Sequence, residues 1–258
     1  MTKCMIITGA SGGLGKEIAL QLAKKNAQLV LIARNKEKLE QVAAECQQLG
    51  ADSVDVYSCD LADRQERESL YKRLEMLPTI DVLINNAGYG LFEEAVEFNQ
   101  NMIVEMFELN VFALMELSIL ATKKMKQQQH GHIIQIASQA GKMATEKSSV
   151  YSATKFSVLG FSNALRLELQ KDGVYVTCVN PGPIATQFFE RADATGQYLK
   201  AVGNFTLDAQ TVAKKIVNSI GTNKREINLP KLMNIGAVFY TLFPKVGDYV
   251  ASRLFNKK

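Results

Sequence analysis

The sequence predicts one α/β domain in which seven parallel strands form a doubly wound sheet with helices on both faces. Short β-rich runs alternate along the chain with segments of helical periodicity, which is typical of strand–helix–strand crossovers. The run Leu29–Ala33 is apolar throughout, as expected for a strand that is covered on both faces. The chain has 258 residues, of which 47% are apolar and 22% charged, so it can bury one large core.

The strands are predicted from apolar, β-branched runs that end at turn residues. In chain order they are Cys4–Thr8, Leu29–Ala33, Val54–Tyr57, Val82–Asn85, Ile133–Ala137, Val174–Val179 and Glu226–Leu229.

The helices are predicted from apolar residues three and four positions apart, with capping residues at their ends. Leu14, Ile18 and Leu22 stripe the first helix, and Asn35 and Gly50 bound the second. Asp63-x-x-Glu66 is a capping box for a third helix, which ends near Pro78. Three further helices are expected over Met102–Lys126, Ser149–Lys171 and Asp208–Ile220, with an irregular region from Pro181 to about Thr206.

Composition excludes several classes of protein. The net charge of +4 gives no reason to expect nucleic-acid binding. Cys4, Cys46, Cys59 and Cys178 contain no C-x-x-C pair, which fits a reducing compartment. His130 and His132 are too few for a metal centre, and both are interpreted as part of a solvated turn before a strand. Neither a signal peptide nor a run of about 18 apolar residues is apparent, so we expect a cytoplasmic protein without a metal.

The segment Thr8-Gly9-Ala10-Ser11-Gly12-Gly13-Leu14-Gly15 lies between the first strand and the first helix. Glycines there let the backbone approach a pyrophosphate, which the N–H groups of the helix N-terminus would bind. The same residues also match G-x-S-x-G, the nucleophile elbow of hydrolases. That alternative makes Ser11 a nucleophile and requires a histidine base, for which only His130 and His132 are available.

The end of the second strand indicates which dinucleotide would bind. An acidic residue at this position holds the adenosine ribose of NAD, whereas an arginine accommodates the 2′-phosphate of NADP. The chain has Arg34 there, with Lys36 and Lys38 nearby. NADP(H) is therefore favoured as the cofactor.

Tyr151 and Lys155 are four residues apart on a predicted helix and so share one face. A phenol is a poor acid at neutral pH, and a neighbouring ammonium stabilises its phenolate. Such a pair could protonate an alkoxide while a hydride reaches carbon. Ser138, after the fifth strand, could hold a substrate carbonyl beside the phenol, and Asn110 could hold a water that leads to Lys155.

Together these pieces resemble the short-chain dehydrogenase/reductase family. Thr8–Gly15, Asn85-Asn86-Ala87-Gly88, Asn110, Ser138, Tyr151, Lys155 and Pro181-Gly182-Pro183-Ile184-Ala185-Thr186 occur in the family's order and spacing. The resemblance implies a Rossmann fold and the catalytic tetrad Asn110, Ser138, Tyr151 and Lys155, with Tyr151 as general acid. The cofactor contacts that it and the patterns above imply are Gly9, Ser11, Gly13, Leu14, Gly15, Arg34, Asp60, Leu61, Asn86, Ala87, Gly88, Tyr151, Lys155, Pro181, Ile184 and Thr186.

The expected function is the reduction of a hydrophobic ketone or aldehyde with NADPH; the alternative is a non-catalytic NADP(H) sensor on the same fold. We expect Phe92, Met143, Phe188, Phe189 and Phe205 to line the substrate pocket. The segment 187–206, which contains Gly196 and Gly203, is hypothesised to close over the ligand.

Residues 1–230 are expected to form the domain, followed by an apolar and basic extension over 231–258. This ending resembles that of hydroxysteroid-dehydrogenase-like and related lipid-carbonyl reductases. A lid, an oligomer contact and peripheral attachment to a membrane are the alternatives for it. The long helices over Met102–Lys126 and Ser149–Lys171 are the candidates for contacts in a homodimer or homotetramer.

Overall fold

Seven parallel strands form the centre of the computed structural model, which describes residues 2–193 and 206–255. The strands are Cys4–Thr8 (β1), Gln28–Ala33 (β2), Ser53–Ser58 (β3), Val82–Asn85 (β4), Gly131–Ile136 (β5), Val174–Pro181 (β6) and Glu226–Leu229 (β7). Their order in the sheet is β3-β2-β1-β4-β5-β6-β7, and every neighbouring pair is parallel. The predicted fold is confirmed.

Helices cover both faces of this sheet. They are Gly13–Ala23 (α1), Lys36–Gln48 (α2), Arg64–Glu75 (α3), Gln100–Phe107 (α4), Ala113–Gln128 (α5), Ser149–Leu169 (α6), Phe188–Ala192 (α7), Ala209–Val217 (α8), Lys231–Leu242 (α9) and Pro244–Phe255 (α10). Short 3₁₀ turns lie at Ala95–Glu97, Gln139–Gly141 and Gln170–Asp172.

The core has two layers because successive residues of a strand point to opposite faces. Ile7 of β1 belongs to the layer that α1, α2 and α8 cover. Its neighbour Ile6 belongs to the layer under α3, α5 and α6. The first layer buries Leu14, Ile18 and Leu22, the apolar stripe that the sequence predicts for α1.

Side chains cap the helices at the predicted positions, with one difference. Asn35 accepts the Lys38 N–H at 2.8 Å, and Asp63 accepts those of Gln65 and Glu66. The Glu66 carboxylate, however, accepts the N–H of Asp60 at 2.7 Å. The predicted reciprocal capping box is therefore only half formed, since Glu66 holds the turn after β3 instead.

The long helix predicted over Met102–Lys126 is interrupted. It begins at Gln100, where the Asn99 side chain caps it, and the regular helix gives way to a π-helical segment, Glu108–Phe112. A regular α-helix resumes as α5. The interruption contains Asn110, whose fully buried amide makes hydrogen bonds outside the helix.

The prediction for His132 is wrong. His130 is exposed and lies 3.1 Å from a carboxylate oxygen of Asp81, but His132 is buried at the start of β5. Its Nε2 lies 2.8 Å from the Thr177 hydroxyl, and its Nδ1 accepts the Gly221 N–H at 3.1 Å. Because Nδ1 accepts, Nε2 carries the proton and donates.

The chain after β7 folds into two helices, α9 and α10, which sequence patterns left unassigned. α9 packs against β7 and against the 3₁₀ turn after β5. The region from Pro181 also contains the short helix α7, whereas residues 194–205 of the segment 187–206 lie outside the described part. Among the described helices none is both long and apolar enough to cross a membrane.

The order of the strands places the site. Successive strands β1, β2 and β3 progress to one side, and β4 to β7 progress to the other. A crevice opens at the carboxyl ends of β1 and β4, where this direction reverses, and ligands of such sheets bind there.

Candidate active site

The glycine-rich turn after β1 is tied to the segment that follows β4. The Thr8 hydroxyl accepts the backbone N–H groups of Asn86 and Ala87, each at 2.9 Å. The Asn86 side chain donates back to the carbonyl oxygens of Thr8 and Gly9. Gly9 has a φ of +66°, which favours glycine, and a Cβ there would come within 2.9 Å of the Cα of Ala87.

The N-terminus of α1 opens into the same crevice. Its N-cap residue is Gly12, and no side chain caps the first turn. The backbone N–H groups of that turn therefore remain available to an anion. Gly15 sits at the packing contact of α1 with the turn, since a Cβ there would lie 2.2 Å from the Gly9 carbonyl oxygen.

Arg34 follows β2 and lines the crevice with a half-exposed guanidinium. Its Nη1 lies 3.7 Å from the carboxylate of Asp60, which follows β3. Leu61 is buried beside Asp60, and neither residue reaches the lining of the crevice. An exposed pair at this distance is weak, so a phosphate dianion could compete for Arg34.

Tyr151 and Lys155 lie near the start of α6 and face the crevice. Tyr151 is 7% exposed and Lys155 is 5% exposed. The Lys155 Nζ donates to the carbonyl oxygen of Ile136 at 3.0 Å and lies 5.7 Å from the centroid of the Tyr151 ring. Burial lowers the pKa of Lys155 to about 8, since the charged ammonium is poorly solvated there.

Ser138 follows β5 and also lines the crevice. Its hydroxyl oxygen accepts the Ala140 N–H at 3.1 Å, which starts the 3₁₀ turn Gln139–Gly141. The neighbouring Gln139 side chain donates to the Asn180 carbonyl oxygen at 2.8 Å and fixes this turn to β6. The Ser138 hydroxyl proton is left for a ligand in the crevice.

Asn110 lies behind the crevice rather than in it. Its Oδ1 accepts the N–H of Tyr89 at 3.0 Å, and its Nδ2 donates to the Tyr89 carbonyl at 2.8 Å and to the Thr154 hydroxyl at 3.1 Å. These bonds use both protons of the amide. The side chain therefore joins the segment after β4 to α6. Because both amide protons are already used, a water that leads to Lys155 would have to bind a backbone group instead of the Asn110 N–H groups.

The crevice has a volume of about 400 Å³. Fourteen of the predicted catalytic and cofactor-binding residues line it, which are Gly9, Ser11, Gly13, Leu14, Arg34, Asn86, Ala87, Gly88, Ser138, Tyr151, Lys155, Pro181, Ile184 and Thr186. Gly15, Asp60, Leu61 and Asn110 support it from outside the lining.

The hydrolase alternative lacks its base in this arrangement. Ser11 lies at the carboxyl end of β1, whereas His130 and His132 lie at the amino end of β5. In a parallel sheet these are opposite edges. Among the described residues, no group of three or more His, Cys, Asp or Glu side chains is placed to hold a metal ion.

Comparison with known proteins agrees with this geometry. The family model described as short chain dehydrogenase matches residues 3–196. Estradiol 17-beta-dehydrogenase 11 of Rattus norvegicus is 31% identical over 258 residues, covering 98% of this chain and 84% of the relative. An uncharacterised oxidoreductase of Staphylococcus aureus is 32% identical over 231 residues, 89% of this chain and 95% of the relative. The chain belongs to the short-chain dehydrogenase family.

Membership of this family makes the chain an oxidoreductase, as the sequence predicts. A solved short-chain dehydrogenase from Sphingobium yanoikuyae in complex with NADPH superposes with a TM-score of 0.82. The two are 27% identical, and the match covers 96% of this chain and 95% of that one.

The crevice of the present chain has an apolar end that adjoins Tyr151. Phe92 and Phe188 each have ring centroids 5.9 Å from that of Tyr151, and Phe189 packs on Phe188 at 5.2 Å. With Met143, these three phenylalanines line the crevice as expected, while Phe205 lies outside the described residues.

Sequence reasoning missed residues of the lining that come from unassigned elements. Met233 of α9 lines the crevice. Lys142, in the turn after β5, holds this helix against the sheet. The Lys142 ammonium donates to the Asn234 side chain at 3.2 Å and pairs with Glu226 of β7. The sequence predicts an apolar extension after Pro230, with a lid among its alternatives, but no pattern shows which of its residues would line the crevice.

Proposed function

We propose that the protein reduces a hydrophobic ketone or aldehyde to an alcohol with NADPH, and that Tyr151 donates the proton. One observation carries the proposal. A single crevice contains the uncapped first turn of α1, the Arg34 guanidinium, and the side chains of Ser138, Tyr151 and Lys155 beside an apolar end.

The residues present fit a phosphorylated dinucleotide. The uncapped first turn of α1 suits a pyrophosphate, and the Arg34 guanidinium suits a 2′-phosphate. Tyr151 and Lys155 would hold the nicotinamide ribose, and Pro181, Ile184 and Thr186 would hold the carboxamide. The NADPH complex of the similar Sphingobium protein supports this choice. When bound, NADPH supplies the hydride.

The chain's own residues would orient the carbonyl oxygen of the substrate and supply the proton that it receives. The Ser138 hydroxyl would donate a hydrogen bond to the substrate carbonyl oxygen and so orient the carbonyl group toward Tyr151. The phenol of Tyr151 would transfer its proton to the oxygen as negative charge develops there. The Lys155 ammonium, 5.7 Å from the ring centroid, would stabilise the phenolate that remains. Asn110 would keep α6 in register through its bond to Thr154.

The lining supports a bulky apolar substrate. Phe92, Phe188, Phe189, Met143 and Met233 surround the space beside Tyr151. Pockets lined in this way bind apolar ligands and orient them with a few polar groups. The estradiol in the name of the rat relative is a large hydrophobic alcohol, which agrees with such a pocket.

The test is the oxidation of NADPH and NADH, followed at the nicotinamide absorbance, with a panel of hydrophobic ketones, aldehydes and diketones. We expect turnover with NADPH that falls by about 10³-fold or more in Tyr151→Phe, because the proton donor is removed. Tyr175→Phe, a tyrosine on β6 outside the crevice, is the matched control and should retain activity.

Two results would count against the proposal. Equal or faster turnover with NADH would refute the role of Arg34. Tight NADPH binding without turnover of any panel member would favour the alternative of a non-catalytic NADP(H) sensor.

We propose further that the protein is a homodimer or homotetramer that associates through its long helices. Phe112, Ile119 and Phe156 are large apolar residues, each nearly half exposed, on the π-helical segment, α5 and α6. Light scattering should give two or four times the chain mass of 28.5 kDa. The double variant Ile119→Asp/Phe156→Asp should give the monomer, and a monomeric wild type would refute the idea.

A lipid surface is the partner that we propose for the C-terminal segment. Leu232, Ile235, Phe239, Leu242 and Phe243 are 45–67% exposed and follow one another at helical spacing. Residues 231–258 contain five basic side chains and one acidic one, so the net charge of +4 of the whole chain resides in this segment. An apolar face with a basic excess suits the interface of an anionic bilayer.

Co-sedimentation with vesicles tests this partner. The wild type should bind vesicles that contain phosphatidylglycerol more strongly than vesicles of phosphatidylcholine alone. Ile235→Asp/Leu242→Asp should abolish binding, whereas Met76→Asp, which alters an 83% exposed methionine after α3, should not. Equal binding of all three proteins would leave this segment as a lid or an oligomer contact.

A further inference from the structure

Arg67 of α3 is a buried arginine whose charge has no role in the mechanism above. It is 1% exposed, and its guanidinium donates in three directions. Nη1 donates to the carbonyl oxygen of Leu61 at 2.8 Å, Nη2 to Glu108 at 2.7 Å, and Nε to Glu116 at 2.9 Å. Its two carboxylate partners are partly exposed, with side-chain exposures of 26% for Glu108 and 43% for Glu116. An ion cluster around a buried guanidinium is weak evidence for stability, because desolvation of the arginine offsets much of the attraction. Its placement therefore invites a functional explanation.

One arm of Arg67 holds the turn on the adenosine side of the crevice. Leu61 directly follows Asp60, whose carboxylate lies 3.7 Å from Arg34. The backbone N–H of Asp60 donates to Glu66, one residue before Arg67 on α3. The turn is thus held by α3 on one side and contacts Arg34 on the other.

The opposite arm holds the segment that supports the catalytic helix. Glu108 is the first residue of the π-helical segment Glu108–Phe112, and Glu116 lies eight residues, about two turns, further along the chain in α5. Asn110 in this segment donates to the hydroxyl of Thr154, the residue before Lys155. Hydrogen bonds and neighbouring residues therefore lead from the Asp60–Leu61 turn through Arg67 and the π-helical segment to α6, while Arg34 adjoins this turn through an ion pair at 3.7 Å.

We propose that Arg67 is a positioning residue that couples occupancy of the adenosine end of the cofactor site to the order of the π-helical segment. The proposal rests on the proposed NADP(H) site. A planar guanidinium with donors in fixed directions can hold three acceptors in one relative geometry. A ligand that orders the Asp60–Leu61 turn would, through Arg67, also restrict the segment around Asn110. The conformational entropy lost when the catalytic end of the site binds its own ligand would then be smaller. Coupling between two sites is reciprocal, so the catalytic end would also favour adenosine binding.

Hydrogen exchange with a half-ligand separates coupling from a merely structural role. Adenosine 2′,5′-bisphosphate has the adenosine and the 2′-phosphate but no nicotinamide, so it cannot contact the catalytic end directly. In the wild type it should slow amide exchange in residues 60–62 and also in 108–112, the latter by about fivefold or more. In Arg67→Met, protection should be confined to residues 60–62.

Arg64→Met is the matched control, because Arg64 lies on the same helix and forms an exposed pair with Glu68. It should behave as the wild type. Arg67→Lys, which keeps the charge but not the three-way geometry, should lose most of the protection at 108–112. Glu108→Gln, a milder change, should reduce it if Arg67→Met does not fold.

Kinetics supply the second readout. Per NADPH-binding site, Arg67→Met should bind NADPH about fivefold more weakly or worse and turn over about tenfold more slowly. A purely structural role would lower the number of active sites and leave both constants per site unchanged.

Two results would overturn the coupling. One is equal protection of residues 108–112 in the wild type and in Arg67→Met. The other is protection of residues 60–62 in the wild type without any protection of residues 108–112. Absence of protection at both segments would instead refute the proposed cofactor. In that case the ligand-free exchange of 108–112, expected to be faster in Arg67→Met than in Arg64→Met, decides whether Arg67 orders the segment.

Discussion

At the scale of single residues, the crevice contains a lysine whose charged form is destabilised by burial. Lys155 is buried in α6, with its Nζ bonded to the Ile136 carbonyl. Burial lowers the pKa of this amine to about 8, so the ammonium still predominates at neutral pH. The amine therefore loses its proton only slightly above the physiological range.

This position predicts a pH dependence of carbonyl reduction. In the proposed mechanism, Lys155 loses, as pH rises through about 8, the charge that would stabilise the phenolate of Tyr151. kcat/KM for the carbonyl substrate should be flat below about pH 7 and should then fall about tenfold per pH unit above about 8. A pH–rate profile at saturating NADPH measures it.

Lys155→Arg provides the control for that profile. It keeps a positive charge throughout the range, so any activity that remains should no longer fall near pH 8. A wild-type profile that stays flat to about pH 9.5 would contradict the assignment of Lys155.

At the scale of elements, the strands and most helices could be predicted because their signals are local. An apolar run such as Leu29–Ala33 and a cap such as Asn35 act over a few residues. Three candidate site residues are also predictable from local patterns, because Ser138 follows a strand and Tyr151 and Lys155 share a helix face. Asn110 is conspicuous as an amide within an apolar helical stretch, but the sequence does not show which partners its amide would bind.

The elements that could not be predicted depend on distant partners. The π-helical segment Glu108–Phe112 contacts Arg67 of α3 and Thr154 of α6, which are 41 and 44 residues from Glu108 and Asn110 in the sequence. The role of α9 at the crevice likewise depends on Lys142 and Glu226. No periodicity within either segment reports such contacts, because they form only when the sheet has assembled.

The contact between α1 and the glycine turn carries a stability prediction. A Cβ on Gly15 would lie 2.2 Å from the Gly9 carbonyl oxygen and 2.6 Å from the Asn86 Nδ2, so backbone would have to move. Gly15→Ala should therefore lower the free energy of unfolding by about 1–3 kcal/mol and weaken NADPH binding. Urea unfolding measures the first effect.

Gly160→Ala is the matched control, because Gly160 lies inside α6 with nothing within 4 Å of an added Cβ. It should raise the free energy of unfolding by about 0.5–1 kcal/mol through helix propensity. If Gly15→Ala were as stable as Gly160→Ala, the close approach of α1 to the turn would be contradicted.

At the scale of the whole molecule, the two edges of the sheet have different chemistry. The carboxyl edge carries the crevice, while the amino edge carries the buried His132, held by Thr177 of β6 and by the N–H of Gly221 after α8. Tyr175 packs edge-on against its imidazole at 5.9 Å. His132 thus joins β5 to β6 and to the loop before β7, at the edge of the sheet opposite the crevice.

The charge state of His132 should set the acid limit of folding. Burial lowers its pKa to about 4, whereas an unfolded histidine has a pKa near 6.5. Between these two values the unfolded chain binds the additional proton, so the free energy of unfolding falls as pH decreases from about 6.5 to 4. The loss attributable to this one group is about 3 kcal/mol over that window.

Urea unfolding of the wild type and His132→Gln between pH 4 and pH 8 measures this contribution. The variant should be less stable at pH 7, because Thr177 and Gly221 lose a shaped partner, yet its stability should decline less toward pH 4. The two curves should therefore converge in acid. A constant gap between the wild type and His132→Gln would show that His132 does not titrate across this window, and the acid sensitivity of the fold would then have to come from its carboxylates.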